Sequence, residues 1–307
     1  MDIINGLNKE QKEAVEHING PCLVLAGAGS GKTKVLTTRI ANLINNGIDS
    51  YNILAITFTN KAAKEMRSRI NNIVDENYAF VGTFHSLGVR IIRENYEVLG
   101  LSRNFTIIDG DDALSIIKKI LKDFNLNVKD YSPSYIRNKI SFIKNEMLSQ
   151  AEIEKHFNTD FDKVVVRIYE EYLNILRRNN TVDFDDLLLL PVKLFNNHKD
   201  ILEKYQERYK YILVDEYQDT NEVQYKLIKL LGKKYKNVFV VGDVNQSIYG
   251  FRWSNYRNIL NFEKDYKDAL IITLNQNYRS TNTILNAANS VIKNNESKKE
   301  VHLYSEL

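Results

Sequence analysis

The sequence has almost no cysteine: Cys22 is the only one in 307 residues. No disulfide can form within the chain. That excludes the small secreted scaffolds that depend on cross-links and fits a reducing cytoplasm. Proline is scarce, with three residues, and no low-complexity stretch marks a long linker. No apolar run approaches the ~18–20 residues of a membrane span, so no membrane partner is expected. The opening Met-Asp-Ile-Ile-Asn-Gly lacks a basic region followed by a long apolar one, so it does not read as a signal peptide. An excess of one charge is also missing: 42 Lys and Arg against 39 Asp and Glu leave a net +3. Such a balance permits nucleic-acid binding without arguing for it. What remains is 43 % hydrophobic and 26 % charged, an ordinary globular composition. The length suits two domains or one large α/β domain.

Against that plain background, residues 22–33 stand out. The apolar run from Cys22 to Leu25 predicts a buried strand. Ala26, Gly27, Ala28, Gly29, Ser30 and Gly31 follow as a turn, then Lys32 and Thr33, then a helix over 34–43. Strand, glycine turn, Lys-Thr and helix is the order of a triphosphate-binding loop. Gly27, Gly29 and Gly31 are expected to take φ > 0 and bring backbone N–H groups to phosphate oxygens. The helix N-terminus adds partial positive charge. Lys32 can reach the β- and γ-phosphates and the Thr33 hydroxyl can ligate Mg²⁺. The strict G-x-x-x-x-G-K-S/T pattern asks for glycine where Ala26 stands. A glycine-rich turn that binds nothing is the alternative, opposed by the flanking strand and helix patterns.

Upstream, residues 7–18 predict an amphipathic helix capped by Asn8, with Gln11 in its first turns. A glutamine amide can read an adenine edge, although taken alone Gln11 reads better as a solvated helix residue. Downstream, 53–58 and 79–84 predict strands, each followed by a helix, over 62–74 and 87–99. Strands alternating with such helices predict a parallel, doubly wound sheet with ligands at the strands' carboxyl ends. Phe58, Asn60, Thr83 and His85 fall at such ends.

Residues 111–180 predict helices only, over 111–124, 134–146, 149–156 and 163–179. This is read as a helical subdomain inserted into the α/β domain. For most of Lys118, Lys119, Arg137, Lys139 and Lys144 a solvated helix surface is expected, with a basic face as the alternative. The α/β pattern resumes at Thr181, with a helix opening over 182–190 behind leading acids. Residues 211–214 then predict a buried strand ending in Asp215 and Glu216. A carboxylate pair there suits metal-assisted NTP hydrolysis, with Asp215 holding Mg²⁺ and Glu216 acting as general base.

A strand over 238–241 leads into a segment containing Gln246, placed to sense a γ-phosphate. Tyr249, Phe251, Arg252 and Trp253 follow. These suit either a single-strand stacking platform or an aromatic loop packed on a helix. A strand over 269–274 precedes Tyr278 and Arg279, which could stack on adenine and touch the γ-phosphate. A helix is expected over 282–293 and a short β-like stretch over 301–304.

The pieces LNKEQKEAV, AGAGSGKT, ITFTNKAAKEM, GTFHS, DFDDLL, VDEYQDT, VGDVNQSIYGFRWS and LNQNYRST occur in one order. That ordered set resembles the UvrD/PcrA/Rep group of superfamily 1 DNA helicases, over nearly the whole chain. The family's own loop commonly reads AGAGSGKT, which accounts for Ala26.

The resemblance implies a RecA-like P-loop NTPase fold, an α/β parallel sheet with an inserted all-helical subdomain. Residues 1–107 and 181–276 would form motor domain 1A, 108–180 the inserted domain 1B and 277–307 the start of motor domain 2A. It implies ATP and Mg²⁺ as cofactors. Gln11 would recognise adenine, and Gly29, Gly31, Lys32 and Thr33 would bind phosphates and Mg²⁺. Asp215 and Glu216 would be metal residue and base, Gln246 a γ-phosphate coupler, Tyr278 an adenine platform and Arg279 a γ-phosphate arginine. Phe58, Asn60, Thr83, His85, Tyr249, Phe251 and Arg252 lie in motifs that contact single-stranded DNA, with single-strand/duplex junctions as further partners. Asn245, Phe251, Trp253 and Ser254 depart from the family's usual third motif.

The whole-length activity implied is ATP-dependent, 3′-to-5′ translocation on single-stranded DNA and duplex unwinding, in the cytoplasm. This chain is expected to be an N-terminal portion, from a truncated or naturally short product, that binds ATP and DNA but unwinds weakly or not at all. The alternatives are a non-catalytic DNA-binding or regulatory homologue, and the helicase part of a recombination helicase–nuclease. A P-loop kinase is compatible with the phosphate loop but not with the other motifs.

Overall fold

The computed structural model describes residues 3–243, 257–292 and 303–306. Among them the strands are β1 (Cys22–Ala26), β2 (Ile53–Thr57), β3 (Phe80–Thr83), β4 (Thr106–Ile107), β5 (Thr181–Val182), β6 (Tyr211–Val214), β7 (Asn237–Gly242) and β8 (Leu270–Leu274). The helices up to the middle of the chain are α1 (Lys9–Glu16), α2 (Lys32–Asn45), α3 (Asn60–Asn71), α4 (Phe84–Glu94), α5 (Gly110–Asp123) and α6 (Pro133–Asn145). They continue as α7 (Gln150–His156), α8 (Asp160–Arg178), α9 (Asp186–Asn197), α10 (Lys199–Arg208), α11 (Glu222–Gly232), α12 (Arg257–Asp265) and α13 (Asn282–Ile292).

Contacts divide the chain into two compact units. The first is formed by residues 1–84, 200–220 and 228–307, the second by 85–199 and 221–227. The second unit contains the whole of 108–180, the span that the resemblance assigns to the inserted domain, and by compactness residues 85–107, 181–199 and 221–227 also pack with it.

In the first unit, six strands form one parallel sheet in the order β3-β2-β6-β7-β1-β8. Every residue of β1 and β2 is buried, which is why both read as unbroken apolar runs rather than alternating ones. All strands run the same way, so Ala26, Thr57, Thr83, Val214, Gly242 and Leu274 end at one edge of the sheet. Any ligand groups following those residues therefore start from that edge. The core gathers Cys22, Val24, Leu36, Ile40, Ala55, Met66, Leu213, Phe239 and Val241.

Helix starts follow local chemistry. Asn8 and Gln11 form a reciprocal capping box on α1. The Thr59 hydroxyl accepts from the Ala62 N–H and starts α3. The C-terminal end of α1 is tied down by a buried side chain of α2: Arg39 donates to the carbonyls of Ala14 at 3.0 Å and Ile18 at 3.3 Å, and to that of His17. A guanidinium is suited to last-turn carbonyls, which carry the negative end of the helix dipole.

The second unit is built on α5, α6, α7 and α8. Their N-caps Asp109, Ser132, Ser149 and Thr159 all accept backbone N–H bonds. Ile117, Ile120, Ile136, Ile140, Ile143, Val165, Ile168 and Tyr172 form the core.

Lys144 is a correction to the surface reading of the insertion's basic residues. Its side chain is 0 % exposed. The ammonium donates to Asp183 Oδ2 at 2.7 Å and Asp186 Oδ1 at 2.8 Å, and the Tyr172 hydroxyl donates to the same Asp183 oxygen at 2.9 Å. The signal was available in the spacing. Lys144 lies four residues beyond Ile140, on the stripe of Ile136, Ile140 and Ile143 that turns inward.

Two other differences have simple causes, and a third concerns helices. The paired strands β4 and β5, two residues each, are too short for a period to show. Helix α9 begins at Asp186 rather than at Val182, because Val182 is taken by β5 and Asp183 accepts the Asp186 N–H at 2.9 Å. Helices α10, α11 and α12 were not read from the sequence.

Candidate active site

The turn after β1 carries Gly27 to Gly31 between a buried strand and α2, so Lys32 and Thr33 sit in the helix's first turn. Gly29 and Gly31 adopt φ of +70° and +86°, the left-handed region that favours glycine. Gly27 does not, which corrects the expectation for it. A Cβ there would instead lie 2.6 Å from the Leu303 side chain, which would have to shift to admit it. Ala26 is the last residue of β1, buried and in register with Leu274.

A cleft of about 370 Å³ opens beside this turn. Ala28, Gly29, Gly31, Lys32, Thr33, Glu216, Tyr278 and Arg279 line it, as read from the sequence. Lys34 and Arg69 join them unread, and Arg69 of α3 is held by Glu65 at 2.5 Å.

The Lys32 ammonium pairs with Glu216, at 3.1 Å from Oε2 and 3.3 Å from Oε1. Glu216 has a left-handed backbone, φ +48° and ψ +44°, unusual for a residue with a Cβ and worth about 1–3 kcal/mol of stored strain. Its N–H donates to Asp215 Oδ1 at 2.9 Å. Asp215 is buried behind it, and its carboxyl is pushed up to about 7 by burial and then by the Glu216 charge, against the opposing pull of Lys32. Asp219 is pushed up to about 6 by the same causes, and among the described residues its buried Oδ1 has no hydrogen-bond partner. Crowded, half-neutralised carboxylate oxygens are a donor set that a hard divalent cation would satisfy. Among the described residues no three acids or histidines form a ready-made metal cluster.

Gln218 was not singled out in the sequence, although it belongs to the same VDEYQDT segment. It is 1 % exposed. Its Nε2 donates to Glu216 Oε2 at 2.7 Å and its Oε1 accepts the Asp243 N–H at 2.9 Å. One amide therefore spans from the carboxylate after β6 to the backbone after β7. Gly242 makes room for it, since a Cβ there would lie 2.8 Å from Gln218 Oε1.

Gln11 does not line the cleft. It lies buried behind the turn, its Nε2 donating to the Ser30 carbonyl at 3.0 Å while its Oε1 accepts the Asn8 N–H at 3.1 Å. The Tyr278 ring is 48 % exposed. Its hydroxyl accepts from Asn8 Nδ2 at 2.9 Å and donates to Gln276 Oε1 at 3.0 Å.

Of the residues read as DNA-contacting, Phe58 follows β2 and meets the Phe84 ring edge-on at 5.6 Å. Asn60 is exposed at the start of α3, and Thr83 is buried at the end of β3. His85 belongs to the second unit, where its ring lies 5.7 Å from that of Phe184. Burial holds its imidazole below the usual histidine range. Phe184 is 53 % exposed, a large ring the sequence analysis passed over within the DFDDLL segment. Gln246, Tyr249, Phe251 and Arg252 lie outside the described residues.

Comparison with known proteins matches residues 7–267 to the family described as the UvrD/REP helicase N-terminal domain. The chain is 49 % identical over 306 residues to the ATP-dependent DNA helicase PcrA of Staphylococcus aureus strain Mu50, covering 99 % of this chain and 42 % of that protein. It is 48 % identical over 308 residues to the protein of the same name from Leuconostoc citreum, covering 99 % and 41 %. The chain therefore spans about two fifths of the length of these relatives. No helix among the described residues is long and apolar enough to cross a membrane.

Proposed function

The chain belongs to the UvrD/REP helicase family, and on that premise we propose that its cleft binds Mg·ATP and turns it over as the nucleotide-binding half of a DNA-translocating motor. The observation that carries this reading is the Lys32–Glu216 pair. It joins the phosphate-loop lysine to a carboxylate at the end of a neighbouring strand, in a cleft also lined by Tyr278 and Arg279.

The chemistry follows from what each group can do. Lys32 leaves Glu216 for the β- and γ-phosphates. The N–H groups of the glycine turn and the first turn of α2 donate to the remaining phosphate oxygens. Glu216, freed of the ammonium, takes the proton from an attacking water. Gln218 keeps the Glu216 carboxylate aimed. Tyr278 offers its open face to adenine, Arg279 approaches the γ-phosphate, and Gln246 links that phosphate to DNA. Gln11 reaches adenine only with the one hydrogen and one lone pair its present bonds leave over. Asp215 and Thr33 would hold Mg²⁺, which would supply positive charge against the phosphates.

Phe58, Asn60, Thr83, His85, Tyr249, Phe251 and Arg252 are proposed to meet single-stranded DNA, alone or at a duplex junction, with stacking as the main contribution of the rings. Phe184 joins this set as an exposed ring beside His85. Movement from 3′ to 5′ and unwinding are proposed for the whole-length protein. For these 307 residues alone we expect nucleotide and DNA binding with slow turnover and no unwinding.

The test is the anisotropy of a labelled single-stranded oligonucleotide titrated with the chain, with and without Mg²⁺ and a non-hydrolysable ATP analogue. Binding that shifts when the analogue is added supports the reading. Binding indifferent to nucleotide, together with no phosphate release from ATP, overturns it.

Gln218→Leu tests the aiming of the base. Loss of a hydrogen bond to a charged group is worth roughly ten-fold in rate. The expected result is a kcat about ten-fold lower with KM for ATP unchanged, read by phosphate release in steady state. An equal rise in KM would mean that Gln218 serves nucleotide binding instead.

A further inference from the structure

Four successive carbonyls of the phosphate loop each accept a hydrogen bond. Gly27 O accepts from Ser30 Oγ at 2.7 Å, Ala28 O from Asn277 Nδ2 at 2.5 Å, Gly29 O from the Tyr278 N–H at 2.9 Å and Ser30 O from Gln11 Nε2 at 3.0 Å. In a trans peptide the C=O and the following N–H point in opposite directions. A donor that grips one carbonyl therefore aims the next N–H away from itself. Gripping Ala28 O aims the Gly29 N–H, and gripping Ser30 O aims the Gly31 N–H. Both glycines line the cleft.

Asn277 is the donor with the most connections. It is 2 % exposed. While Nδ2 holds Ala28 O, its Oδ1 accepts the N–H groups of Arg279 at 2.8 Å and Ser280 at 2.7 Å. Its own N–H donates to Tyr304 O at 2.7 Å. The same side chain thus shapes the turn carrying Arg279 and fastens that turn to the loop. The fit is close enough to require glycine opposite it: a Cβ on Gly29 would lie 2.7 Å from Asn277 Nδ2 and 2.8 Å from Arg279 Cβ.

We propose that Asn277 is a positioning residue for phosphate binding, fixing the peptide unit that presents the Gly29 N–H and, through its turn, the approach of Arg279. The proposal rests on the nucleotide reading of the cleft and goes beyond it by naming what holds the loop's N–H groups in place.

Asn277→Asp keeps the oxygen that organises the turn and replaces the donor facing Ala28 O with an acceptor. Asn277→Ser keeps a short turn acceptor that does not span to Ala28 O, and serves if the aspartate variant does not fold. Each is compared with the parent chain by titrating fluorescent AMP and ADP in Mg²⁺, with melting curves to establish that the protein is folded. The quantity read is the affinity gained on adding the β-phosphate.

The expected result is that this gain falls about ten-fold in the variants, while AMP affinity stays within about two-fold of the parent. A gain equal to the parent's overturns the proposal. A parallel loss for AMP and ADP also overturns it, since general loosening of the fold does not distinguish the phosphate. If the parent itself gains nothing from the β-phosphate, the nucleotide reading fails and this proposal with it.

Discussion

Glu216→Gln is expected to abolish ATP hydrolysis while leaving a chain that binds nucleotide more tightly than its parent. The loss follows from removal of the group that takes the proton from water, a contribution of about 10²–10⁴ in rate. The tighter binding follows from the geometry without nucleotide. Lys32 is held by both Glu216 oxygens, at 3.1 and 3.3 Å, so phosphate must compete with a charge-assisted pair before it gains the ammonium. The substituted amide cannot hold that cation with a full charge.

A second effect has the same sign. The Glu216 charge is one of the causes that raise the Asp215 carboxyl to about 7, after burial. Removing it moves Asp215 toward the ionised form that a metal-bound phosphate needs. Gln218 still finds an oxygen to donate to, so the local frame is kept. Phosphate release and fluorescent-nucleotide titration on the same preparation check both halves. Unchanged hydrolysis would remove Glu216 from the role of base. Weaker binding would mean that the Lys32 pair does not compete with phosphate.

Lys144→Met is expected to cost the folded chain about 3–5 kcal/mol, the usual penalty for taking one partner from a buried ion cluster. Asp183 and Asp186 would remain inside without their cation. Their present states set the pH dependence. Burial pushes the Asp183 carboxyl up, but the Lys144 charge and hydrogen bond hold it below the usual aspartate range. Its contribution is therefore present above the unfolded pKa and lost as the pH falls through the folded one. Asp186 is pushed up to about 6, chiefly by burial, with Asp183 adding to the rise and Lys144 opposing it. Its contribution is present below the unfolded pKa and lost as the pH rises through about 6.

Without Lys144 both groups behave in the second way. The deficit of the variant should be smaller in mild acid and grow with rising pH, because without the cation both buried carboxyls resist ionisation. Urea unfolding of parent and variant at pH 5 and pH 8 measures it. A deficit equal at the two pH values would mean that the carboxylates are not what the lysine neutralises.

The sheet was legible because burial on both faces leaves β1, β2, β6 and β7 as apolar runs bounded by turns. The phosphate loop, Lys32, Thr33 and the Asp215–Glu216 pair were legible because their chemistry is contiguous in sequence. Gln218 and Asn277 were not. Their effect comes from hydrogen bonds to Asp243 and Ala28, 25 and 249 residues away, and no local pattern records such a bond. Gly27 shows the same limit, since its close neighbour is the side chain of Leu303, far along the chain. Gln11 was half legible. Its spacing from Asn8 predicts the helix start, whereas its grip on Ser30 O depends on where the loop returns.

The strand order has a consequence for synthesis on the ribosome. Both neighbours of β1 in the sheet, β7 and β8, are made roughly 200 residues after it. At translation speeds of about 5–20 residues per second, β1 waits roughly 10–40 s for its first partner. During that time the nascent chain carries Cys22–Ala26 as an apolar strand with two open edges. The strand that leads into the glycine turn is thus the one that waits longest for a first partner, and release of the chain before β7 is made should yield aggregate rather than a folded intermediate.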